Sequence, residues 1–171
     1  MKALTIFRHA KADRPEAYPQ DFDRPLTTRG RKDTERMSIV IAGLLPAVDC
    51  IISSTAVRAA QTTNHLIAIL DYANRPIWEE AAYLASATTL IDLLQKAPAD
   101  VEHVVLVGHN PGMEELAALL CTGAENGAIL RLPTAGIAHL HLDIARWQQV
   151  RAGGSELRLL AAPKLLPSRI G

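Results

Sequence analysis

Three short stretches of this 171-residue chain carry side chains able to do chemistry: Arg8-His9 near the start, Arg58 in the first half, and His109-Asn110 in the second. A guanidinium is a permanent cation whose forked donors match the oxygens of a phosphoryl or carboxylate group. An imidazole titrates near neutrality and serves as nucleophile, acid or base. An isolated Arg-His pair has little weight, because a polar pair at the end of a strand is commonplace. The three stretches gain weight together because each follows a short apolar run.

Those runs supply the elements that must position them. Leu4-Thr5-Ile6-Phe7 leads to Arg8-His9, and Val48 to Ile52 leads through Ser53-Ser54-Thr55 to Arg58. Val104-Val105-Leu106-Val107 leads to Gly108-His109. Runs this short and β-prone read as strands, the last covered on both faces as in a parallel sheet. Helical periods follow each one. Thr27 caps a helix whose apolar face is Met37, Val40, Ile41 and Leu44 and which Pro46 ends. The hydroxyls of Ser53 to Thr55 cap a helix from about Ala56 to Leu70, placing Arg58 in its first turn. Asn110 and Pro111 fit the cap and first position of a third helix, which Gly123 terminates. A β-like piece at Pro76-Ile77-Trp78 and a helix near Ser86 to Lys96 lie between, too short for a separate lid domain. Two further strands, Ile137 to Leu142 and Leu157 to Ala162, flank a turn at Gly153-Gly154.

Strands alternating with helices imply an α/β fold of three layers, α/β/α, around a mostly parallel central sheet. The whole chain, residues 1–171, reads as one domain, within the size a single core supports. Ligands of open parallel sheets bind at the carboxyl ends of the strands, so the three polar turns face one crevice. That crevice would hold two guanidiniums, two imidazoles and two helix N-termini, a set suited to a phosphoryl group.

Composition narrows the alternatives. Eighteen basic residues balance eighteen acidic ones, which argues against nucleic acid or an anionic membrane surface as partner. Apolar residues make up 49% of the chain with few aromatics, so Ala, Leu, Ile and Val build the core. Cys50 and Cys121 lie in apolar surroundings without metal-ligand spacing and read as reduced core residues. No signal-peptide pattern or run of roughly 20 apolar residues is visible, so a cytoplasmic location is expected. No phosphate-binding Gly-rich loop or aspartate cluster for magnesium occurs, and neither metal nor cofactor is expected. His139 and His141 alternate on one strand face, but no acidic or cysteine partner completes a metal set there. His103 falls at the opposite end of its strand from His109 and reads as structural.

Arg8-His9, the run Ser53-Ser54-Thr55-Ala56-Val57-Arg58-Ala59-Ala60-Gln61-Thr62 and Gly108-His109 resemble, in order and spacing, the three motifs of the histidine phosphatase superfamily, whose fold is phosphoglycerate mutase-like. The small size, with Asp23-Arg24-Pro25-Leu26-Thr27 and Gly108-His109-Asn110-Pro111, is similar to the short bacterial SixA-type phosphohistidine phosphatases. The resemblance implies that His9 is a nucleophile that takes the phosphoryl group, with Arg8, Arg58 and His109 on its oxygens and Asn110 and Arg24 as further substrate contacts. Flanking arginines should keep His9 neutral, while His109 is most useful protonated.

The implied activity is metal-free removal of a phosphoryl group from phosphohistidine in a partner protein. A small-molecule phosphomonoesterase and a non-catalytic phosphate-binding module remain open. Two departures stand out. Ala10 replaces the usual glycine and is expected to put a methyl beside the phosphate, and only Glu80 is placed to be a proton donor.

Overall fold

The computed structural model describes residues 1–167; the last four residues of the expected 1–171 domain lie outside the described residues. Six strands form one sheet: β1 (Lys2–Arg8), β2 (Cys50–Ser54), β3 (Ile77–Glu79), β4 (His103–Gly108), β5 (Ile137–Leu142) and β6 (Ser155–Ala161). The order across the sheet is β3-β2-β4-β1-β5-β6. The first four in that order run parallel, and β5 and β6 add on antiparallel beyond β1. The helices are α1 (Thr28–Ala42), α2 (Val57–Leu70), α3 (Ala87–Gln95) and α4 (Gly112–Thr122).

Alternation along the strands sorts the core into two halves. Leu4 and Ile6 of β1, Cys50 and Ile52 of β2, and Val104 and Leu106 of β4 pack with Leu90 and Leu94 of α3 and Met113 and Leu116 of α4. Phe7, Ile51, Val105 and Val107 point the other way, onto Met37 and Ile41 of α1 and Ala59 and Leu66 of α2. The period of two in the strands thus produces the three layers. No described helix is long and apolar enough to cross a membrane.

Local details depart from the sequence reading in informative ways. Thr27 does cap α1, accepting from the Gly30 N–H at 3.0 Å, but the helix ends at Ala42 with Gly43 as its cap, before Pro46 is reached. Ser53 and Ser54 belong to β2, and α2 begins after Ala56 with no side-chain cap. The β2 pairing with β3 and β4 extends far enough to absorb both serines, and the Ser54 hydroxyl accepts from the Ala56 N–H at 3.3 Å while it also meets the site. Likewise α4 starts at Gly112 after Pro111, without a side-chain cap: the Asn110 Nδ2 donates to the Leu132 carbonyl at 3.0 Å, and its Oδ1, the atom that would cap, has no partner among the described residues.

Two glycines bring loops onto helix starts near the site. A Cβ on Gly30 would lie 2.2 Å from the Lys11 carbonyl oxygen, and one on Gly112 would lie 1.9 Å from that of Ala85. Only glycine permits such approaches.

Away from the site, Thr5, His103 and His139 form a buried polar chain. The Pro46 carbonyl accepts from His103 Nδ1 at 2.8 Å, so in the neutral ring Nε2 is the acceptor and takes the Thr5 hydroxyl proton at 2.8 Å. Thr5 Oγ1 then accepts from His139 Nδ1 at 2.9 Å. His103 is therefore structural, as its place in the strand implied, and burial pushes His139 down to about 4. Among the described residues, no group of three or more His, Cys, Asp or Glu side chains is placed to hold a metal ion.

Candidate active site

The carboxyl ends of β1, β2 and β4 open into one pocket lined by Arg8, His9, Arg58, His109 and Asn110, as their spacing implied, with Lys11, Asp21, Arg24, Leu84 and Thr134 completing the wall. The backbone of His9 is pinned on both sides: its N–H donates to Gly108 at 3.0 Å and its carbonyl accepts from Ala135 at 3.1 Å. Ala135 holds a φ of +59°, unusual for a residue with a Cβ. The His9 ring is fixed as well. Nδ1 lies 2.8 Å from the Ala10 carbonyl, which can only accept, so Nδ1 carries the proton and Nε2 presents a lone pair. That lone pair faces the Arg58 Nε–H at 3.2 Å.

Arg58 is buried despite its charge. Besides Nε on His9, Nη2 donates to the Asp21 carboxylate at 2.7 Å and Nη1 to the Asp21 main-chain carbonyl. The Tyr83 ring lies 5.7 Å from the guanidinium carbon and stacks edge-on against the His109 ring at 5.2 Å. Arg8 is held by the Leu132 carbonyl at 2.7 Å. His109 Nε2 meets the Ser54 hydroxyl at 2.9 Å, and its ring centre is 4.9 Å from that of His9. Arg8 Nε, His109 Nδ1 and Asn110 Oδ1 are all buried without a hydrogen-bond partner among the described residues. Buried polar atoms are nearly always paired, and three of the unpaired ones belong to residues of this one wall.

Burial is the main cause of the electrostatics. Desolvation pushes His9 down to about 4, and Arg58, Arg8 and Arg24 add to the fall against a bond to Ala10 that raises it. The imidazole is thus neutral at pH 7, as a nucleophile requires, though burial outweighs the arginines expected to be responsible. His109 is pushed down to about 3, again by burial first and then by His9 and Arg58. The protein's own groups therefore favour the neutral ring over the protonated one expected. Burial raises the Asp21 carboxyl, but bonds from Arg24, Tyr83 and Arg58 outweigh it and hold the group well below the usual carboxylate range.

The remaining expected residues divide. Arg24 reaches the pocket wall, yet its Nε and Nη2 clamp the Asp13 carbonyl at 2.8 and 2.7 Å and its Nη1 the Asp21 carboxylate at 2.6 Å. Glu80 is exposed and lines an adjoining hollow with Gln20, Asp21, Phe22 and Tyr83, outside the wall around His9. The Ala10 methyl is fully buried in the core half that holds Phe7 and Leu26, while its N–H donates to the Thr62 hydroxyl at 3.1 Å. It is not part of the pocket wall, so a glycine is not needed there. Asp21 and Tyr83 are the residues that sequence reasoning missed. The only signal for Asp21 was its place three residues before Arg24, and Tyr83 carried none, because its contacts join segments more than twenty residues apart.

No protein-family model matches the chain. An uncharacterized protein of Mycobacterium leprae is 30% identical over 166 residues, spanning 92% of this chain and 99% of its own. One from Picosynechococcus is 34% identical over 166 residues, spanning 96% and 99%. Among solved structures, SixA from Nakamurella multipartitia matches with a TM-score of 0.80 at 26% identity, over 95% of this chain and 96% of that one. SixA from Agrobacterium tumefaciens matches with a TM-score of 0.77 at 29% identity, over 95% and 98%. The SixA protein histidine phosphatase bound to tungstate shares the fold, with a TM-score of 0.79 at 22% identity over 95% and 97%. Fold and site together define a histidine-phosphatase-type phosphatase. The chain belongs to the histidine phosphatase superfamily, alongside the short SixA proteins.

Proposed function

We propose that the protein removes phosphoryl groups from phosphohistidine in a partner protein, through a covalent intermediate on His9 and without a metal. The observation that carries this reading is the fixed tautomer of His9, whose Nε2 lone pair faces Arg58 in an open pocket. In the first step Nε2 attacks phosphorus, the bond from phosphorus to the substrate imidazole breaks, and its electron pair stays on the departing imidazole, which is protonated from solvent. In the second step water attacks phosphorus, the Nε2–P bond returns its pair to the ring, and the water's proton leaves with the solvent. Splitting one displacement into two lowers each barrier. Arg8 and Arg58 stabilise charge on the transferring oxygens, where most of the catalysis of phosphoryl transfer lies.

The proton inventory supports P–N substrates. Asp21 is the carboxylate on the pocket wall, but three donors hold it ionised, and Glu80 stands outside. A phosphoramidate nitrogen can be protonated before it leaves, whereas an alkoxide needs an acid at the moment of departure. Side-by-side turnover of a phosphohistidine-bearing carrier protein, sugar phosphates and nucleotides tests the proposal. The carrier should be the faster substrate, and an acid-labile phosphoryl label should appear on wild type and vanish in His9→Ala. Faster turnover of the esters would replace this reading with a small-molecule phosphomonoesterase, and a wild type that binds but never carries label would leave a binding module.

A further inference from the structure

The loop between β1 and α1 lays one carboxylate across the back of the site. Both Asp21 oxygens are engaged, Oδ1 by Arg24 Nη1 at 2.6 Å and Oδ2 by Arg58 Nη2 and the Tyr83 hydroxyl, each at 2.7 Å. The Asp21 main-chain carbonyl accepts from Arg58 Nη1. A guanidinium has two usable edges, one formed by the terminal nitrogens and one that includes Nε. Asp21 occupies the terminal edge with a carboxylate oxygen and a carbonyl, so the Nε edge is the one turned to His9 Nε2 at 3.2 Å. Tyr83 lies against the guanidinium, and Phe22 braces the Tyr83 ring edge-on at 5.1 Å.

Resting on the phosphatase reading above, we infer that Asp21 is a positioning residue, which fixes the rotation of the Arg58 guanidinium so that its Nε edge meets the phosphoryl group at His9. The arrangement uses an exposed carboxylate to steer a buried cation: the Arg58 side chain is 4% exposed and that of Asp21 42%. Asp21 touches no reacting atom. A guanidinium free to rotate about its last bonds offers the same charge but not the same donors, and misplacement on the order of 1 Å costs up to a hundredfold in rate. Because the lost alignment matters in the transition state, the loss falls on kcat more than on KM.

A double-mutant cycle tests this. Asp21→Ala should lower kcat by about tenfold to a hundredfold with KM changed less than about threefold. Asp21→Asn, which can keep one oxygen on Arg58 and Tyr83, should recover part of the loss. In an Arg58→Ala background, Asp21→Ala should change kcat less than about twofold, because the residue then has nothing to steer. An equal fall in both backgrounds would overturn the inference and make Asp21 a support of the loop alone, as would a rise in KM with kcat intact. The same cycle read by calorimetric binding of orthovanadate does not depend on turnover. Coupling between positions 21 and 58 there, in a wild type without phosphatase activity, would uphold the positioning role and sink the enzymatic reading; no coupling would sink the positioning role.

Discussion

Replacing Arg58 by alanine removes a guanidinium that is buried and serves three acceptors at once. Loss of one preorganised donor at a site of developing charge typically costs about 2.7–4 kcal/mol, or about 10²–10³ in kcat. A second effect acts through the proposed nucleophile, since the Arg58 charge helps depress His9. Its size is bounded by returning His9 all the way to about 6.5. At pH 7 that bound still leaves roughly three-quarters of the imidazole neutral, so nearly the whole loss reports transition-state stabilisation. At pH 5.5 the same bound leaves roughly a tenth neutral, against nearly all in a ring that titrates at about 4, so the deficit grows by up to about tenfold. The assay is kcat/KM for phosphoramidate hydrolysis at both pH values. Arg58→Lys keeps the charge but brings a single ammonium, which cannot serve His9 and both Asp21 acceptors together, and it should stay at least about tenfold slow. A deficit under about threefold in Arg58→Ala, or a lysine variant equal to wild type, would refute the role assigned to the forked side chain.

Other perturbations have equally definite outcomes. In wild type the acid limb of kcat/KM should fall near pH 4, where His9 protonates in the fold, rather than near the 6.5 of a free imidazole; a limb at pH 6.5 would mean that the ring is solvated. Stability has its own pH dependence. His9, His109 and His139 have folded values depressed below 6.5, so the unfolded chain binds protons more readily, and stability held above about pH 6.5 should drain away as the pH falls toward 4. Urea melts at pH 7, 5.5 and 4.5 check this, and a flat profile would contradict it. Thr5→Val strips the hydroxyl that joins His103 to His139 and should cost about 1–3 kcal/mol for each ring nitrogen left unpaired, read as a lower urea midpoint with wild-type kcat. Ala10→Gly removes a buried methyl from the core and should cost about 1–2 kcal/mol without speeding turnover; a faster variant would put that methyl in the pocket after all.

Much of the architecture was legible because local rules and global packing agree here. Continuous apolar runs over Val104 to Val107 and alternating contacts in β1 are what a sheet covered on both faces requires, and Thr27 and Gly123 delimit their helices as their chemistry demands. The misjudged elements share a cause. Ser53, Ser54 and Asn110 are good caps in isolation, yet cross-strand pairing draws both serines into β2 and the Nδ2 bond to the Leu132 carbonyl fixes the Asn110 amide with its oxygen off the helix start, so tertiary contacts outweigh a local preference worth about 1 kcal/mol.

For the site, the sequence by itself determined which polar residues meet in the pocket. Arg8, His9, Arg58 and His109 each follow a strand, and parallel strands deliver their carboxyl ends to one rim. What only the tertiary structure decided is how those groups are tuned. The protonation of His9 and His109 follows chiefly from burial, a property of the packed whole that no spacing encodes. The tautomer of His9 depends on where the Ala10 carbonyl points. The orientation of Arg58 depends on Asp21 and Tyr83, which loop geometry alone brings to it. The direction of the Ala10 methyl, into the core and away from the pocket, is decided by the same packing.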